Sequence, residues 1–198
     1  MERKITYFED VKAENTDATL ELARDRLDIL GIHKIVLAST TGATARKANE
    51  FFKDNGTRLI VVPHQFDFHR EENLFPQELA KSLREAGHEV HFGTMLFHTD
   101  RLYDSKIPTL LANILRCFCQ GVKVCFEIVL MATDAGLLKK GEKVIAIAGT
   151  GRGADTALVM QSASSQNMKQ LRVNEIVCKP LYPLNIDEAL AKVPPKKE

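Results

Sequence analysis

The sequence lacks a surplus of charge of either sign. Its 27 lysines and arginines are balanced by 26 aspartates and glutamates, which leaves a formal net charge of +1. Proteins that bind nucleic acids usually carry a clear basic excess, because each phosphate contact needs a cation. Composition therefore gives no support to a nucleic-acid partner, and we expect none.

Long apolar runs are also absent. No stretch approaches the roughly 18 residues that a membrane span needs, and the opening MERKITYFED is unlike an apolar secretory segment. We therefore expect no membrane association and a location in the reducing cytoplasm. Hydrophobic residues make up 44% of the 198 residues, which is enough for a sizeable core. We expect a single domain over residues 1–198, frayed after Pro194.

The residue pairs that commonly hold a metal ion are missing as well. The sequence has no Cys-x-x-Cys pair and no His-x-x-x-His pair, so we expect no metal site. Cys117, Cys119 and Cys125 fall in one apolar stretch of helical character, where residues two apart point to different sides. We interpret these thiols as small buried hydrophobes.

What the sequence does contain is an alternation of helices and strands. Periodicity and stop signals predict helices at 14–30, 43–52, 76–86, 108–119 and 123–138, with a break at Gly121, and strands at 33–38, 58–62, 89–92, 143–148 and 174–178. Residues 156–163 fit a helix or a strand on pattern alone. Strands alternating with helices are typical of an α/β fold, with a parallel sheet covered on both faces in three layers.

The first candidate site follows the strand at 33–38, and we name residues 39–44 the first loop. Four hydroxyl residues and one glycine occur there: Ser39, Thr40, Thr41, Gly42 and Thr44. A helix begins in the same few residues, where amide groups lack internal partners and carry partial positive charge. This arrangement favours a bound phosphate. The alternative is that one of the hydroxyls at 39–41 simply caps the helix, although a cap needs only one of the four.

The second candidate site follows the strand at 143–148, and we name residues 149–155 the second loop. It contains Gly149, Thr150, Gly151, Arg152, Gly153 and Asp155. Alternating glycines let a backbone turn its N–H groups toward an anion, and an arginine adds a bidentate phosphate contact. Asp155 suits a ligand hydroxyl, Arg152 or the loop backbone. The spacing is not the dinucleotide fingerprint, and the first loop lacks the Gly-Lys-Ser/Thr ending of a Walker A motif.

Both loops leave the carboxyl ends of their strands, which in open α/β sheets is where ligands bind. If the two strands are neighbours, the loops face each other across one crevice. His64, which follows the strand at 58–62, is a further candidate for ligand contact. Asn15 and Thr16 are expected to cap the first helix, at a position that is also compatible with the crevice. No nucleophile with a matching base can be assembled, so the sequence assigns no reaction.

With these two loops, the chain resembles the C-terminal α/β domain of pyruvate kinase. The resemblance rests on the segment 36–45, on Gly136-Leu137, on Gly141-Glu142 with the strand after it, and on the second loop. It implies the sheet order 3-2-1-4-5, counting the predicted strands in chain order, with an antiparallel fifth strand at 156–163. The first and fourth strands would then be adjacent. The catalytic barrel of pyruvate kinase has no counterpart in the sequence, so we do not expect pyruvate kinase activity.

The chain is also similar to small stand-alone, mostly archaeal proteins that share this domain. That likeness implies flavin mononucleotide (FMN) as the ligand, with its phosphate in the two loops. Phe66, Phe68 or Met95 would flank the ring, although core packing is the alternative for each. Two other functions stay open: a metabolite-sensing regulatory protein that binds a sugar phosphate, and a flavin-dependent oxidoreductase. Pairing through the apolar 107–131 helices would give a homodimer.

Overall fold

The computed structural model describes residues 2–68 and 71–183, so the predicted frayed end after Pro194 lies outside the described residues. The strands are β1 (Thr6–Phe8), β2 (Lys34–Ala38), β3 (Arg58–Val62), β4 (Glu89–Val90), β5 (Lys143–Ala148), β6 (Thr156–Gln161) and β7 (Arg172–Pro180). The α-helices are α1 (Asn15–Leu30), α2 (Ala43–Phe52), α3 (Gln77–Glu85), α4 (Asp100–Tyr103), α5 (Ile107–Arg116) and α6 (Gln120–Asp134).

The strands form one sheet in the order β1-β7-β6-β5-β2-β3-β4. Only β6 runs antiparallel to its neighbours among the described strands. The prediction of a mostly parallel sheet with one antiparallel strand is therefore confirmed. So is the expected adjacency of the strands at 33–38 and 143–148, because β2 pairs with β5 in parallel, with Leu37 opposite Ile147.

Helices cover both faces of the sheet, because β2 and β5 carry buried side chains on both sides. Ile35 and Leu37 pack into a core with α1, α2 and α3, whereas Val36 packs into a second core with α6. Strands buried on both faces read as continuous apolar runs, as the segments at 34–38 and 143–148 do. The three-layer α/β/α prediction is confirmed.

The predicted helix break at Gly121 is wrong, because Gly121 lies inside α6. The chain breaks earlier, at Cys119, whose backbone is extended and whose thiol accepts a hydrogen bond from the Val122 amide at 3.4 Å. A Cβ at Gly121 would lie 2.1 Å from Thr156 Oγ1, so glycine is needed here for the close approach of α6 to β6. The helix also ends at Asp134 rather than at Leu138.

Two further details differ from the expectations. The edge strand β1 was not predicted; it pairs in parallel with the end of β7, with Thr6 opposite Cys178. Cys117 is exposed, whereas Cys119 and Cys125 are buried as expected. In the part of the chain that the structure describes, no helix is both long enough and apolar enough to span a membrane.

Candidate functional site

Two neighbouring strands bring the first and second loops to the same edge of the sheet. The strands β2 and β5 are parallel and in register, with Val36 opposite Ala146 and Leu37 opposite Ile147. Neighbouring strands lie about 4.8 Å apart, so the two loops begin side by side although more than a hundred positions separate them in the sequence. This edge is the carboxyl edge at which ligands bind in open α/β sheets.

One hydroxyl of the first loop caps helix α2. Ser39 is buried, and its Oγ accepts a hydrogen bond from the Ala45 amide at 3.2 Å. Ser39 thus satisfies one amide of the first turn, as the capping alternative expects, although the N-cap residue itself is Gly42, which offers no side-chain cap. Gly42, the residue before α2, has φ +84°, and a Cβ there would lie 2.5 Å from Leu79 Cδ2 on α3. A glycine is therefore required at the turn into the helix.

The amides and hydroxyls of the first loop beyond Ser39 make no internal hydrogen bond in the described part of the chain. Within residues 2–68 and 71–183, no hydrogen bond satisfies the amide groups of residues 40–44 or the hydroxyls of Thr40, Thr41 and Thr44. Helix α2 also has no acidic side chain in its first turn, the place where a carboxylate commonly offsets the helix dipole. Five successive N–H groups and three hydroxyls thus have no partner among the described residues, although Gly42 and Thr44 are themselves buried. Unpartnered N–H groups at the start of a helix are the donors that commonly bind an anion.

Asp155 shapes the second loop from within. Its side chain is 1% exposed; Oδ2 accepts a hydrogen bond from the Thr150 amide at 3.0 Å, and Oδ1 accepts one from the Thr156 hydroxyl at 2.7 Å. Burial raises the pKa of Asp155, and the two hydrogen bonds oppose that rise. The sequence analysis expected Asp155 to bind a ligand hydroxyl, Arg152 or the loop backbone. In the structure its carboxylate binds the loop backbone, at the Thr150 amide.

The tip of the second loop faces solvent. Gly151 and Arg152 are exposed, and Gly149 and Gly153 are partly exposed. Among the described residues, nothing pairs with the Arg152 guanidinium, and the amides of Gly151 and Gly153 make no hydrogen bond. A phosphate group placed between the loops would therefore find an unpaired cation on one side and unpaired amides on both.

The predicted capping role of Asn15 and Thr16 is wrong, but Thr16 does reach the second loop. The Asn15 side chain donates to the Asp10 carbonyl, and the Thr16 hydroxyl donates to the Ala13 carbonyl at 2.6 Å. Thr16 Oγ1 also accepts a hydrogen bond from the Ala154 amide at 3.0 Å, and the Thr19 hydroxyl lies 3.3 Å from the Ala154 carbonyl. We name this pair of threonines the α1 clasp, because it fixes the second loop to the start of α1.

The segment after β3 borders the first loop. The Ser39 amide donates to the Val62 carbonyl at 3.4 Å, and His64 follows two residues later with its ring 5.0 Å from that of Phe68. Phe66 is 52% exposed and its ring lies 5.2 Å from that of Phe92. Met95, in contrast, is buried in the core on the α6 side of the sheet, so its role is core packing, the alternative given for it above.

A buried charged cluster beside this segment was missed by the sequence analysis. Lys123 is 1% exposed, and its Nζ lies 2.5 Å from Glu127 Oε2 and 2.9 Å from His98 Nε2. Glu127 Oε1 accepts a hydrogen bond from the Phe97 amide at 2.8 Å. The cluster therefore fixes the 3-10 turn Leu96–His98 to α6.

The protonation states follow from burial. Burial lowers the pKa of Lys123, although the neighbouring Glu127 favours its charged form. Burial, with the nearby Lys123, lowers the pKa of His98 to about 4. His98 is thus neutral at pH 7 and can accept a hydrogen bond from Lys123 at Nε2. The sequence signal was a Lys and a Glu four residues apart in an apolar helix.

A family model described as "Pyruvate kinase, alpha/beta domain" matches residues 17–160, which include both loops. Similar solved structures include a pyruvate kinase from Cryptosporidium parvum, with 15% identity, a TM-score of 0.42, and coverage of 79% of this chain and 24% of the kinase chain. The Cryptosporidium parvum pyruvate kinase in complex with ADP has 16% identity and a TM-score of 0.42, and the match covers 79% of this chain and 25% of the kinase chain. The chain thus spans about a quarter of the length of these kinases.

Proposed function

The chain belongs to the pyruvate kinase α/β domain family, and from this premise we propose that it binds a phosphorylated small molecule, FMN, with the phosphate between the first and second loops. The observation that carries the proposal is the row of amides at residues 40–44 at the same sheet edge as Arg152, all of them without a hydrogen-bond partner among residues 2–68 and 71–183. A site of this kind selects for an anion of two charges with several acceptor oxygens.

The energetics favour a phosphate over a neutral group. The start of α2 offers backbone donors and the positive end of the helix dipole, which together contribute about 0.3–2 kcal/mol to an anion. Each charge-assisted hydrogen bond, such as those from Arg152, adds roughly 1.5–3 kcal/mol. The α1 clasp and Asp155 hold the second loop in shape before the ligand arrives, which reduces the entropy lost on binding.

FMN fits the proposal because its phosphate is terminal and its ring is apolar. With the phosphate between the loops, the ring would lie along the segment after β3, which borders the first loop. Phe66 is an exposed aromatic side chain of this segment, and His64, two residues before it in the sequence, is half-buried. Aromatic faces of this kind commonly pack against a flat heterocycle.

The test is a titration of purified protein with FMN and with riboflavin, which lacks the phosphate, followed by flavin fluorescence. Arg152→Ala is expected to weaken FMN binding by about 10- to 100-fold, as the loss of one or two charge-assisted contacts implies, and to change riboflavin binding by less than about twofold. Lys143→Ala is the matched control, because Lys143 is exposed at the opposite end of β5. That variant should bind FMN as the wild type does.

Equal losses for FMN and riboflavin would overturn the phosphate assignment. A protein that ignores both flavins but is stabilised against heat by sugar phosphates, with the stabilisation lost in Arg152→Ala, would keep the phosphate site. The ligand would then be that of a metabolite sensor, and the FMN assignment would be wrong.

A further inference from the structure

Helix α5 and the turns that flank it leave a cluster of large hydrophobic side chains in solvent. We name this surface the apolar patch; it consists of Leu102, Tyr103, Ile107, Leu110, Leu111, Ile114 and Phe118. Their exposed fractions run from 37% for Leu111 to 70% for Tyr103. Single exposed hydrophobic residues are ordinary, but a contiguous group of this size on a soluble domain usually marks an interaction surface.

The outward residues follow a helical repeat. Positions 107, 110, 111 and 114 are spaced by three and four residues, so they form one stripe along α5. The opposite side of the same helix packs inward, where Ala112 is buried and Leu115 joins the core beneath α6. A helix that is apolar on two sides is suited to two packing surfaces, and residues 2–68 and 71–183 of one chain cover only the inner one.

The size and charge of the patch suit a second copy of the chain. The exposed fractions leave roughly 700 Å² open, comparable with the ~800 Å² that each partner contributes to a standard protein interface. Residues 107–115 contain no charged side chain, so a twofold contact centred on Leu110 and Leu111 brings no like charges together. A helix that binds a membrane surface is usually rich in lysine and arginine, whereas α5 carries only Arg116.

We propose that the chain forms a twofold homodimer in which the apolar patch of one copy packs against the same patch of the other. In such a contact the same residues serve both copies, and α5 packs antiparallel to the α5 of its partner. Asp104 and Lys106 at one end of the helix and Arg116 at the other lie at the polar rim. No residue of the patch belongs to the first or second loop, so dimer formation and ligand binding can be tested separately.

The test is the mass of the full chain in solution, measured by light scattering and by sedimentation at low and high micromolar concentration. The wild type is expected at twice its chain mass of 22.2 kDa. Leu110→Glu should give a monomer, because two carboxylates would meet at the centre of the contact. Ile29→Glu is the matched control, since Ile29 is 61% exposed on α1, and it should remain dimeric.

A monomeric wild type across the whole concentration range would overturn the proposal, as would a Leu110→Glu variant that stays dimeric. Hydrogen exchange of the wild type provides a readout that does not depend on the folding of a variant. Exchange of the patch residues should slow as the concentration rises, and a rate independent of concentration would also overturn the proposal. Flotation of a monomeric wild type with anionic phospholipid vesicles would assign the patch to a membrane surface.

Discussion

At the scale of single residues, the polar side chains where β2 and β5 end are of two kinds: some hydrogen-bond within the fold, and others have no partner among the described residues. Ser39 caps α2, Thr16 holds the second loop, and Asp155 is satisfied inside it. The hydroxyls of Thr40, Thr41 and Thr44 have no such partner among the described residues. The sequence identified the hydroxyl residues, but these look alike in a sequence, and only the three-dimensional contacts separate those with an internal partner from those without one.

Asp155 provides a test at this scale. Asp155→Ala is expected to lower the free energy of unfolding by about 1–3 kcal/mol, because the Thr150 amide loses its acceptor. Asp155→Asn should cost much less, since its carbonyl oxygen can accept from Thr150 and its amide can donate to the Thr156 hydroxyl. Urea unfolding of the three proteins measures both differences. Alanine and asparagine variants of equal stability would show that the carboxyl does not hold the loop.

The same residue predicts a dependence on pH. Because the folded-state pKa of Asp155 is raised, folding favours the protonated carboxyl. Its contribution to stability is therefore present below the pKa of the unfolded chain and is lost as the pH rises through the raised folded pKa. Between these two pKa values, the free energy of unfolding of Asp155→Asn should rise relative to that of the wild type as the pH increases. A difference that is constant with pH would contradict the raised pKa.

At the scale of helices and strands, the sequence predicted α1, α2, β2, β3 and β5 to within one residue at each end, whereas it missed the ends of α5, α6, β4 and β7. The cores of α1, α2, β2, β3 and β5 coincide with apolar patterns in the sequence. Three features depended on contacts that a pattern does not contain. Gly121 is required by the close approach of β6. Strand β1 has only three residues and pairs with a distant strand, and the buried Lys123 has the Phe97 ring and His98 Nε2 beside its ammonium group.

The α1 clasp gives a prediction for elements that pack together. Thr16→Val keeps the shape of the side chain but leaves the Ala154 amide without its acceptor, so we expect a loss of about 1–3 kcal/mol of stability. Ligand affinity should fall as well, because the second loop is less preorganised. Thr16→Ser keeps the hydroxyl and is the control. Unfolding and FMN titration of both variants measure the two effects, and equal behaviour of valine and serine would refute the clasp.

At the scale of the whole molecule, topology determines the site. Local pattern placed each loop after a strand, and the resemblance to a known family supplied the strand order, which the structure confirms. Composition and periodicity alone do not reveal which strands are neighbours, because adjacency depends on how crossovers wind around the sheet. The apolar patch shows the same limit: the sequence marked 107–131 as apolar, but only the fold shows which side of α5 the described part of the chain leaves exposed.

The measurement that tests the central claim most directly is a titration of the ¹⁵N-labelled protein with FMN, followed through the amide resonances of both loops. We predict that the amides of residues 40–44 and of Gly151 to Gly153 shift together and give one dissociation constant. Riboflavin should leave the amides of 40–44 nearly unchanged. Shifts confined to one loop, or two loops that respond with different constants, would contradict a single phosphate held between them.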